Sequence, residues 1–159
     1  GVRQGLKAFA PLEHRIEPVA TIDGVRYIND SKATNTDAVV TALRAFEPGR
    51  VILLAGGHDK GGQLDEFVDA IKASCKATVT YGEASDRFFE ALSGQGLATL
   101  LQAPHMAEAL TIAKNLAVPG DVVLLSPACS SYDEFSGFEE RGRRFKELVL
   151  TLDLDQPGH

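Results

Sequence analysis

The sequence lacks the features that mark disulfide-rich, membrane and secreted proteins. Its 159 residues contain only two cysteines, Cys75 and Cys129, which are too few for a disulfide framework. The longest apolar runs, such as VILLAGG, are far shorter than the roughly 20 residues of a membrane-spanning helix. The first residues, GVRQ, have neither the basic nor the apolar region of a signal peptide. We therefore expect a cytoplasmic protein with no membrane partner.

Basic runs and metal-ligand spacing are also missing. The 16 basic and 22 acidic residues give a net charge of −6, and no basic cluster interrupts that balance. We therefore expect no nucleic-acid partner. The four histidines and two cysteines do not have the spacing of zinc ligands, so we expect no metal site in this chain.

What the sequence does contain is an alternation of strand and helix patterns. Two extended runs around Asp23-Gly24 predict an antiparallel hairpin. Short apolar runs then predict strands at 50–57, 77–81, 98–101 and 122–125. Amphipathic spacing predicts helices between them, at about 35–46, 64–71, 85–92 and 105–117, and a last helix at 138–152. Such units build a Rossmann-like, doubly wound α/β domain with a mostly parallel sheet, helices on both faces and an N-terminal antiparallel hairpin.

Ligands of such folds bind at the carboxyl ends of the strands, where this chain has three polar loops. The loops are NDSKATN at 29–35, GGHDKGG at 56–62 and SPACSSYDEFSG at 126–137. GGHDKGG fits neither the P-loop nor the dinucleotide-binding pattern, because Lys60 precedes Gly61 and no Ser or Thr follows. Lys60 is then either a solvated lysine in a turn or a cation for a carboxylate or phosphate.

The other two loops also allow more than one interpretation. In NDSKATN, Asp30 and Lys32 are either an exposed ion pair or part of a site, and the remaining polar residues are caps or ligands. In SPACSS, Cys129 is a nucleophile only if a base such as His58 approaches it, and is otherwise a small buried apolar residue. A serine nucleophile is disfavoured because the G-x-S-x-G pattern is absent. The third interpretation is a backbone and hydroxyl cradle for an anion, from Ser130 to the start of the next helix.

Several blocks together resemble one known family. YINDSKATN, LLAGGHDKGG and LLSPACSSYDEFSGFEERG occur in order and at matching intervals, and the likeness runs from about Phe9 to Val149. They resemble the carboxyl-terminal domain of the Mur ligases of peptidoglycan synthesis, in particular the members that add D-glutamate. Gly137 departs from the pattern, since relatives often carry Asn there, and implies a more flexible end to that loop.

The resemblance implies that this chain is one domain of a three-domain enzyme. Residues 1–11 would be the tail of the preceding ATP-binding domain or a linker, 12–152 the Mur ligase domain, and 153–159 a flexible tail. ATP and Mg²⁺ would bind mostly to the missing central domain, and the missing domains would hold UDP-N-acetylmuramoyl-L-alanine. We therefore expect the isolated chain to fold, to bind no cofactor and to have no ligase activity.

The resemblance also implies roles for individual residues. Arg15 and Asp30 would contact the nucleotide, and Lys32 would be the catalytic residue at the junction with the other domains. D-glutamate would be held by four residues: Thr34, Lys60, Ser131 and Phe138, the last through its backbone. In this interpretation the SPACSS loop binds a carboxylate, and Cys129 is a filler, a residue that only occupies space in the core. The alternatives are a related ligase, such as a folylpolyglutamate synthase or another Mur ligase, and a free-standing Rossmann-like metabolite-binding module.

Overall fold

The computed structural model of the chain describes residues 12–154, with side chains described through residue 152. The predicted assignments of residues 1–11 and 155–159 therefore lie outside the described residues. The strands are β1 (Glu17–Ile22), β2 (Val25–Asn29), β3 (Val51–Gly56), β4 (Cys75–Tyr81), β5 (Leu100–Ala103) and β6 (Val122–Leu125). The helices are α1 (Thr36–Leu43), α2 (Asp65–Ser74), α3 (Ser85–Leu92), α4 (Met106–Leu116) and α5 (Phe138–Leu154).

The six strands form one mixed sheet in the order β1-β2-β6-β3-β4-β5. β1 pairs antiparallel with β2, and the remaining neighbours are parallel. Asp23 and Gly24 connect β1 to β2 with φ angles of 53° and 79°, which two-residue hairpin turns require. The predicted hairpin and the mostly parallel sheet are both confirmed.

Helices cover both faces of the sheet, as a doubly wound fold requires. On one face α1, α2 and α3 bury residues such as Val39, Phe67 and Phe88. On the other face α4 and α5 bury residues such as Met106 and Phe145. Every residue of β3 is buried, because this central strand is covered on both sides. Within the described range, no helix has the length and apolarity needed to cross a bilayer.

Among the predicted boundaries that differ from the structure, two have a clear physical reason. The strand predicted at 98–101 is β5, which lies two residues further on and ends where Ala103 pairs with Tyr81. β5 is a short edge strand with Leu101 exposed, so its apolar pattern defines its register poorly. The helix predicted at 35–46 ends at Leu43. The backbone N–H of Phe46 donates to the carbonyl oxygen of Leu43, which is the i to i−3 bond of a tighter turn than the α-helix.

The strand order brings the three polar loops together. β6 lies between β2 and β3, and all three strands point the same way. The loops that follow them therefore emerge side by side at one edge of the sheet, the carboxyl edge. The opposite edge, where the parallel strands begin, is the amino edge.

Candidate functional site

Asp30, at the end of β2, is engaged on both of its carboxylate oxygens. Oδ1 accepts a hydrogen bond of 3.0 Å from the backbone N–H of Ile16, and Oδ2 accepts one of 2.7 Å from the hydroxyl of Ser126. The side chain is only 4% exposed. Burial raises the pKa of Asp30, while the two hydrogen bonds and the nearby charge of Arg15 act in the opposite direction. Asp30 therefore joins β2 to the β6–α5 loop, whatever else it contacts.

The β2–α1 loop also begins a helix. The side chain of Asn35 accepts a 2.9 Å hydrogen bond from the N–H of Ala38, so Asn35 is the N-cap of α1. The capping role, one of the interpretations that the sequence left open, is correct for Asn35.

Three of the predicted residues line one cavity of about 300 Å³ beside this loop. Its polar lining residues are Arg15, Asp30, Lys32 and Thr41, and its apolar lining residues are Ile16, Ala33, Ala38 and Ala42. Arg15 and Lys32 are exposed. The cavity thus combines an apolar wall with two cations and one buried carboxylate, a combination that suits part of a nucleotide.

Lys60 and Thr34 lie together at a second, smaller cavity. Lys60 is exposed, and its Nζ lies 3.5 Å from the backbone oxygen of Thr34. The cavity has a volume of about 120 Å³ and is also lined by Asp59, Arg87, Cys129, Gly61 and Gly62. Its size and the charge of Lys60 suit a carboxylate group rather than a nucleotide, while the charge of Arg87 is paired with Asp59 at 3.2 Å.

The loop that carries Lys60 is fixed by backbone and side-chain bonds. The N–H of His58 donates to the oxygen of Ser130 at 2.9 Å, which connects the loops after β3 and β6. Asp59 accepts from the N–H of Gly61 at 2.8 Å and from Arg87 Nη1 at 3.2 Å. A Cβ atom at position 57 would lie 2.4 Å from the oxygen of Ser130, so this close approach requires Gly57.

The structure separates Ser131 from the open cavities. Its hydroxyl is buried and has no hydrogen-bond partner among the described residues, and the same is true of the Ser130 hydroxyl. Phe138, the first residue of α5, is half-buried, and its carbonyl oxygen accepts a 2.7 Å hydrogen bond from Ser31 Oγ. The first turn of α5 also carries Glu139 and Glu140, whose charges reduce the attraction of that helix end for an anion.

Cys129 has the environment of an unreactive thiol. It is 3% exposed, and burial raises its pKa to about 12 although the charge of Arg141 acts in the opposite direction. The ring of His58 forms no hydrogen bond to Cys129 among the described residues, and its Nδ1 lies 3.1 Å from Glu83 Oε1 instead. The interpretation of Cys129 as a filler agrees with these observations.

Arg141 is the site residue that sequence reasoning missed. Its side chain is 1% exposed, its Nε donates to Ser31 Oγ at 2.9 Å, and its Nη2 donates to the Ser31 oxygen at 2.8 Å. The sequence contained a signal, because Arg141 lies three residues after Phe138 and four before Phe145 on the predicted apolar face of the helix. A charged residue at such a position has to find partners inside the protein.

Among residues 12–154, no group of three or more histidine, cysteine, aspartate or glutamate side chains is arranged to hold a metal ion.

Comparison with known families assigns the chain. Residues 14–129 match the family profile described as "Mur ligase, glutamate ligase domain". The chain belongs to this family. The profile includes the positions of five predicted site residues: Arg15, Asp30, Lys32, Thr34 and Lys60. Ser131 and Phe138 lie beyond it.

Relatives of this Mur ligase domain match nearly the whole chain. A protein of Pelotomaculum thermopropionicum named UDP-N-acetylmuramoylalanine–D-glutamate ligase is 47% identical over 148 residues, which are 92% of this chain and 32% of that protein. One of Salinibacter ruber with the same name is 44% identical over 151 residues, 95% of this chain and 32% of that protein. The chain thus spans about a third of the length of these relatives.

Solved structures share the fold at low sequence identity. UDP-N-acetylmuramate-alanine ligase MurC of Thermotoga maritima superimposes with a TM-score of 0.63 at 16% identity, over 94% of this chain and 33% of that chain. The bifunctional folylpolyglutamate synthase/dihydrofolate synthase of Yersinia pestis gives a TM-score of 0.60 at 20% identity, over 95% of this chain and 33% of that chain. Because ligases with different names share this Mur ligase fold, the fold alone does not identify the amino acid that is added.

Proposed function

We propose that this chain is the acceptor-binding part of an ATP-dependent ligase that adds D-glutamate to UDP-N-acetylmuramoyl-L-alanine in peptidoglycan synthesis. The observation that carries the proposal is the identity of 47% and 44%, over nearly the whole chain, to relatives that bear that name. Because the chain spans about a third of those relatives, we assign the UDP-sugar site, the P-loop and the magnesium ion to other parts of the ligase. The cytoplasm is the proposed location, since both cysteines are free.

Such a ligase activates the carboxylate of UDP-N-acetylmuramoyl-L-alanine with ATP as an acyl phosphate, and ADP is released. The amine of D-glutamate then attacks the acyl carbon, and phosphate leaves. This chemistry depends on orientation of the amine and on neutralisation of charge more than on a protein nucleophile. The unreactive environment of Cys129 supports that division of roles.

The two carboxylates of D-glutamate are assigned to neighbouring loops. Lys60 supplies the positive charge for one carboxylate at the rim of the 120 Å³ cavity, beside Thr34. Ser131 and the backbone of Phe138 are assigned to the other. The Ser131 hydroxyl is buried in this structure, so the loop has to shift before that hydroxyl contacts a ligand. Its lack of a partner supports the assignment, because an unpaired buried hydroxyl costs free energy that a ligand can recover.

The nucleotide is assigned to the 300 Å³ cavity. Arg15 offers an exposed cation there, and Asp30 a carboxylate whose two present hydrogen bonds hold it in place. Lys32 lies on the same cavity and is exposed, so it is the residue of this chain that we assign to the reacting groups, as a cation for the charge that develops on the acyl phosphate. In the chain, Lys32 lies between Asp30, which lines the first cavity, and Thr34, which lines the second, and this position supports the role.

The test is an assay of the complete ligase that contains this chain. We expect ADP release that requires both UDP-N-acetylmuramoyl-L-alanine and D-glutamate. L-alanine, the acceptor that the MurC name suggests, and a folate with L-glutamate should not replace them. The 159-residue chain alone should release no ADP above a heat-inactivated control. ADP release with a folate acceptor would support the related-ligase alternative instead, and nucleotide binding without any ligase activity would support a metabolite-binding module.

A further inference from the structure

Arg141 is a buried cation without a buried anion. Its side chain is 1% exposed, and within the described part of the chain no carboxylate oxygen forms an ion pair with it. Its Nη1 has no hydrogen-bond partner among the described residues. Burying a charge in this way costs free energy, because water solvates a guanidinium better than a protein interior does. Such an arrangement suggests a purpose other than stability.

The bonds of Arg141 hold the β2–α1 loop against α5. Nε and Nη2 donate to the hydroxyl and the carbonyl oxygen of Ser31, at 2.9 and 2.8 Å. The same Ser31 hydroxyl donates to the carbonyl oxygen of Phe138 at 2.7 Å. Ser31 is therefore fixed between two residues of α5, one turn apart. Because Thr34 follows Ser31 by three residues, this connection sets the position of Thr34 relative to Phe138.

The guanidinium also lies beneath the loop that carries Lys60. A Cβ atom at position 57 would lie 3.2 Å from Nη1 of Arg141 and 3.1 Å from the Cβ of Cys129. Arg141 is thus in close contact with the loop after β2 and lies next to the loops after β3 and β6. Those three loops carry Thr34, Lys60 and Ser131, and Phe138, the fourth residue that we assign to D-glutamate, begins α5 directly after the third loop. In a low-dielectric interior, a fixed positive charge makes the potential at the loops above it more favourable for an anion.

We propose that Arg141 is the positioning residue of the D-glutamate site. It holds Ser31 on the first turn of α5, so that Thr34 and Phe138 are correctly spaced, and its uncompensated charge favours the dianionic acceptor. Arg141 contacts neither substrate in this account. The inference rests on the proposed function, since it assumes that D-glutamate is the ligand.

The experiment compares Arg141→Met and Arg141→Lys in the complete ligase. Arg141→Met removes the positive charge and the N–H donors of the guanidinium. The KM for D-glutamate should therefore rise at least about tenfold, while the KM for ATP should change by less than about twofold. Arg141→Lys keeps the charge and should recover part of that loss. The matched control is Arg144→Met, since Arg144 is exposed on the same helix and pairs with Glu147.

Ser31→Ala supplies a second variant that keeps Arg141 in place. It removes the hydroxyl that links Arg141 to Phe138, and its effect on the D-glutamate KM should not add to that of Arg141→Lys, because both break one connection. The ¹³C shift of the Phe138 carbonyl, measured in the 159-residue chain, should change in both variants and not in Arg144→Met. This readout does not depend on activity.

The outcomes separate the two proposals. A wild-type ligase without D-glutamate-dependent ADP release would overturn the proposed function and with it the acceptor role of Arg141. In an active ligase, an unchanged KM for D-glutamate in Arg141→Lys and Ser31→Ala would overturn the positioning role alone. Equal increases of the KM values for D-glutamate and ATP would also overturn it, because a merely structural residue affects both substrates.

Discussion

The buried charge at the amino edge of the sheet is neutralised by ion pairs, whereas, among the described residues, the buried charge at the carboxyl edge is not. At the amino edge, Asp121 is fully buried and its carboxylate is neutralised. Lys76 Nζ lies 2.6 Å from one oxygen, Arg50 Nη2 lies 3.2 Å from the other, and the N–H of Val118 donates at 2.9 Å. At the carboxyl edge, Arg141 is equally buried and forms no ion pair within the described residues.

Buried polar atoms without a hydrogen bond occur at both edges, including Asp121 Oδ1 at the amino edge, but three hydroxyl groups of this kind lie around Arg141. The hydroxyls of Tyr81, Ser130 and Ser131 near Arg141 are all buried and lack partners in the part of the chain that the structure describes. At the amino edge two cations compensate the charge of Asp121, whereas the charge of Arg141 at the carboxyl edge has no partner among the described residues. Binding sites need such groups, and stability alone does not. The comparison predicts that amino-edge changes affect folding and that carboxyl-edge changes affect substrates.

The largest expected effect is at the amino edge. Asp121→Ala leaves Arg50 and Lys76 without their shared anion and should lower the free energy of unfolding by about 3 kcal/mol, near the lower end of the range for breaking a buried ion pair. The lower end applies because the side chains of Arg50 and Lys76 are 35% and 30% exposed and stay partly hydrated. Urea unfolding of the 159-residue chain measures this value, with the exposed Asp69→Ala as the control.

The comparison would fail at this point if Asp121→Ala were as stable as Asp69→Ala. It would also fail if the complete ligase with Asp121→Ala, still folded at the assay temperature, had an altered KM for D-glutamate.

The next effect concerns the charge at the carboxyl edge. Lys60→Ala should raise the KM for D-glutamate by roughly 10- to 150-fold, the equivalent of one charge-assisted hydrogen bond, and should change the KM for ATP little. Lys60 is exposed, so the stability of the chain should not change. Steady-state kinetics of the complete ligase, with each substrate varied in turn, measure both values. Lys72→Ala, another exposed lysine, is the control. An increase in the ATP KM alone would reverse the assignment of the two cavities.

Arg15→Ala should give the opposite pattern at the neighbouring cavity. Loss of its exposed charge should raise the KM for ATP by about tenfold and leave that for D-glutamate within about twofold. Asp30→Ala should show the same preference, but it should also destabilise the fold because it removes the acceptor of both Ile16 and Ser126. Arg15→Ala is therefore the clearer test, and an unchanged ATP KM would remove Arg15 from the nucleotide site.

A smaller effect is expected from Glu134, whose Oε2 is buried without a partner in the described part of the chain. Burial, and then the neighbouring Asp133, raise the pKa of Glu134. A carboxyl group with a raised pKa in the folded state stabilises most when it is protonated, and that stability is lost as the pH rises through the folded pKa. Glu134→Gln should therefore become more stable relative to the wild type as the pH increases from 4 to 7. The exposed Glu139→Gln should not, and parallel curves for wild type and Glu134→Gln would refute the explanation.

The smallest effect is expected from Cys129. Cys129→Ala should change kcat/KM of the complete ligase by less than about tenfold, because it removes only a small buried group. Burial raises the pKa of Cys129 to about 12, so iodoacetamide at pH 7 should not label it in the folded chain and should label it after unfolding. A loss of activity near the millionfold that follows deletion of a nucleophile would restore the thiol mechanism.

The sequence predicted the fold well because its signals are local. Continuous apolar runs mark the buried strands, and the Asp23-Gly24 pair marks the hairpin. The boundary of β5 was missed because an exposed edge strand of four residues has little apolar pattern. Strand order brings Lys60 next to Thr34, and Arg15 next to Asp30 and Lys32, while the roles given to these residues stay predictions.

Other features of the site depend on contacts between distant parts of the chain. Arg141 and Ser31 are 110 residues apart, and no local pattern reports their bond. The burial of the Ser131 hydroxyl and the double engagement of Asp30 are likewise consequences of tertiary packing. A charged residue on the apolar face of a predicted helix was the one available clue to Arg141.

Hydrogen–deuterium exchange of the complete ligase tests the central claim most directly, because it reports both edges of the sheet in one measurement. The ligase is compared without ligand and with D-glutamate plus a non-hydrolysable ATP analogue. We expect protection of peptides that cover 57–62 and 126–141 at the carboxyl edge, and unchanged exchange in peptides that cover 47–51 and 117–122 at the amino edge. Equal protection at both edges, or protection at the amino edge alone, would contradict the account.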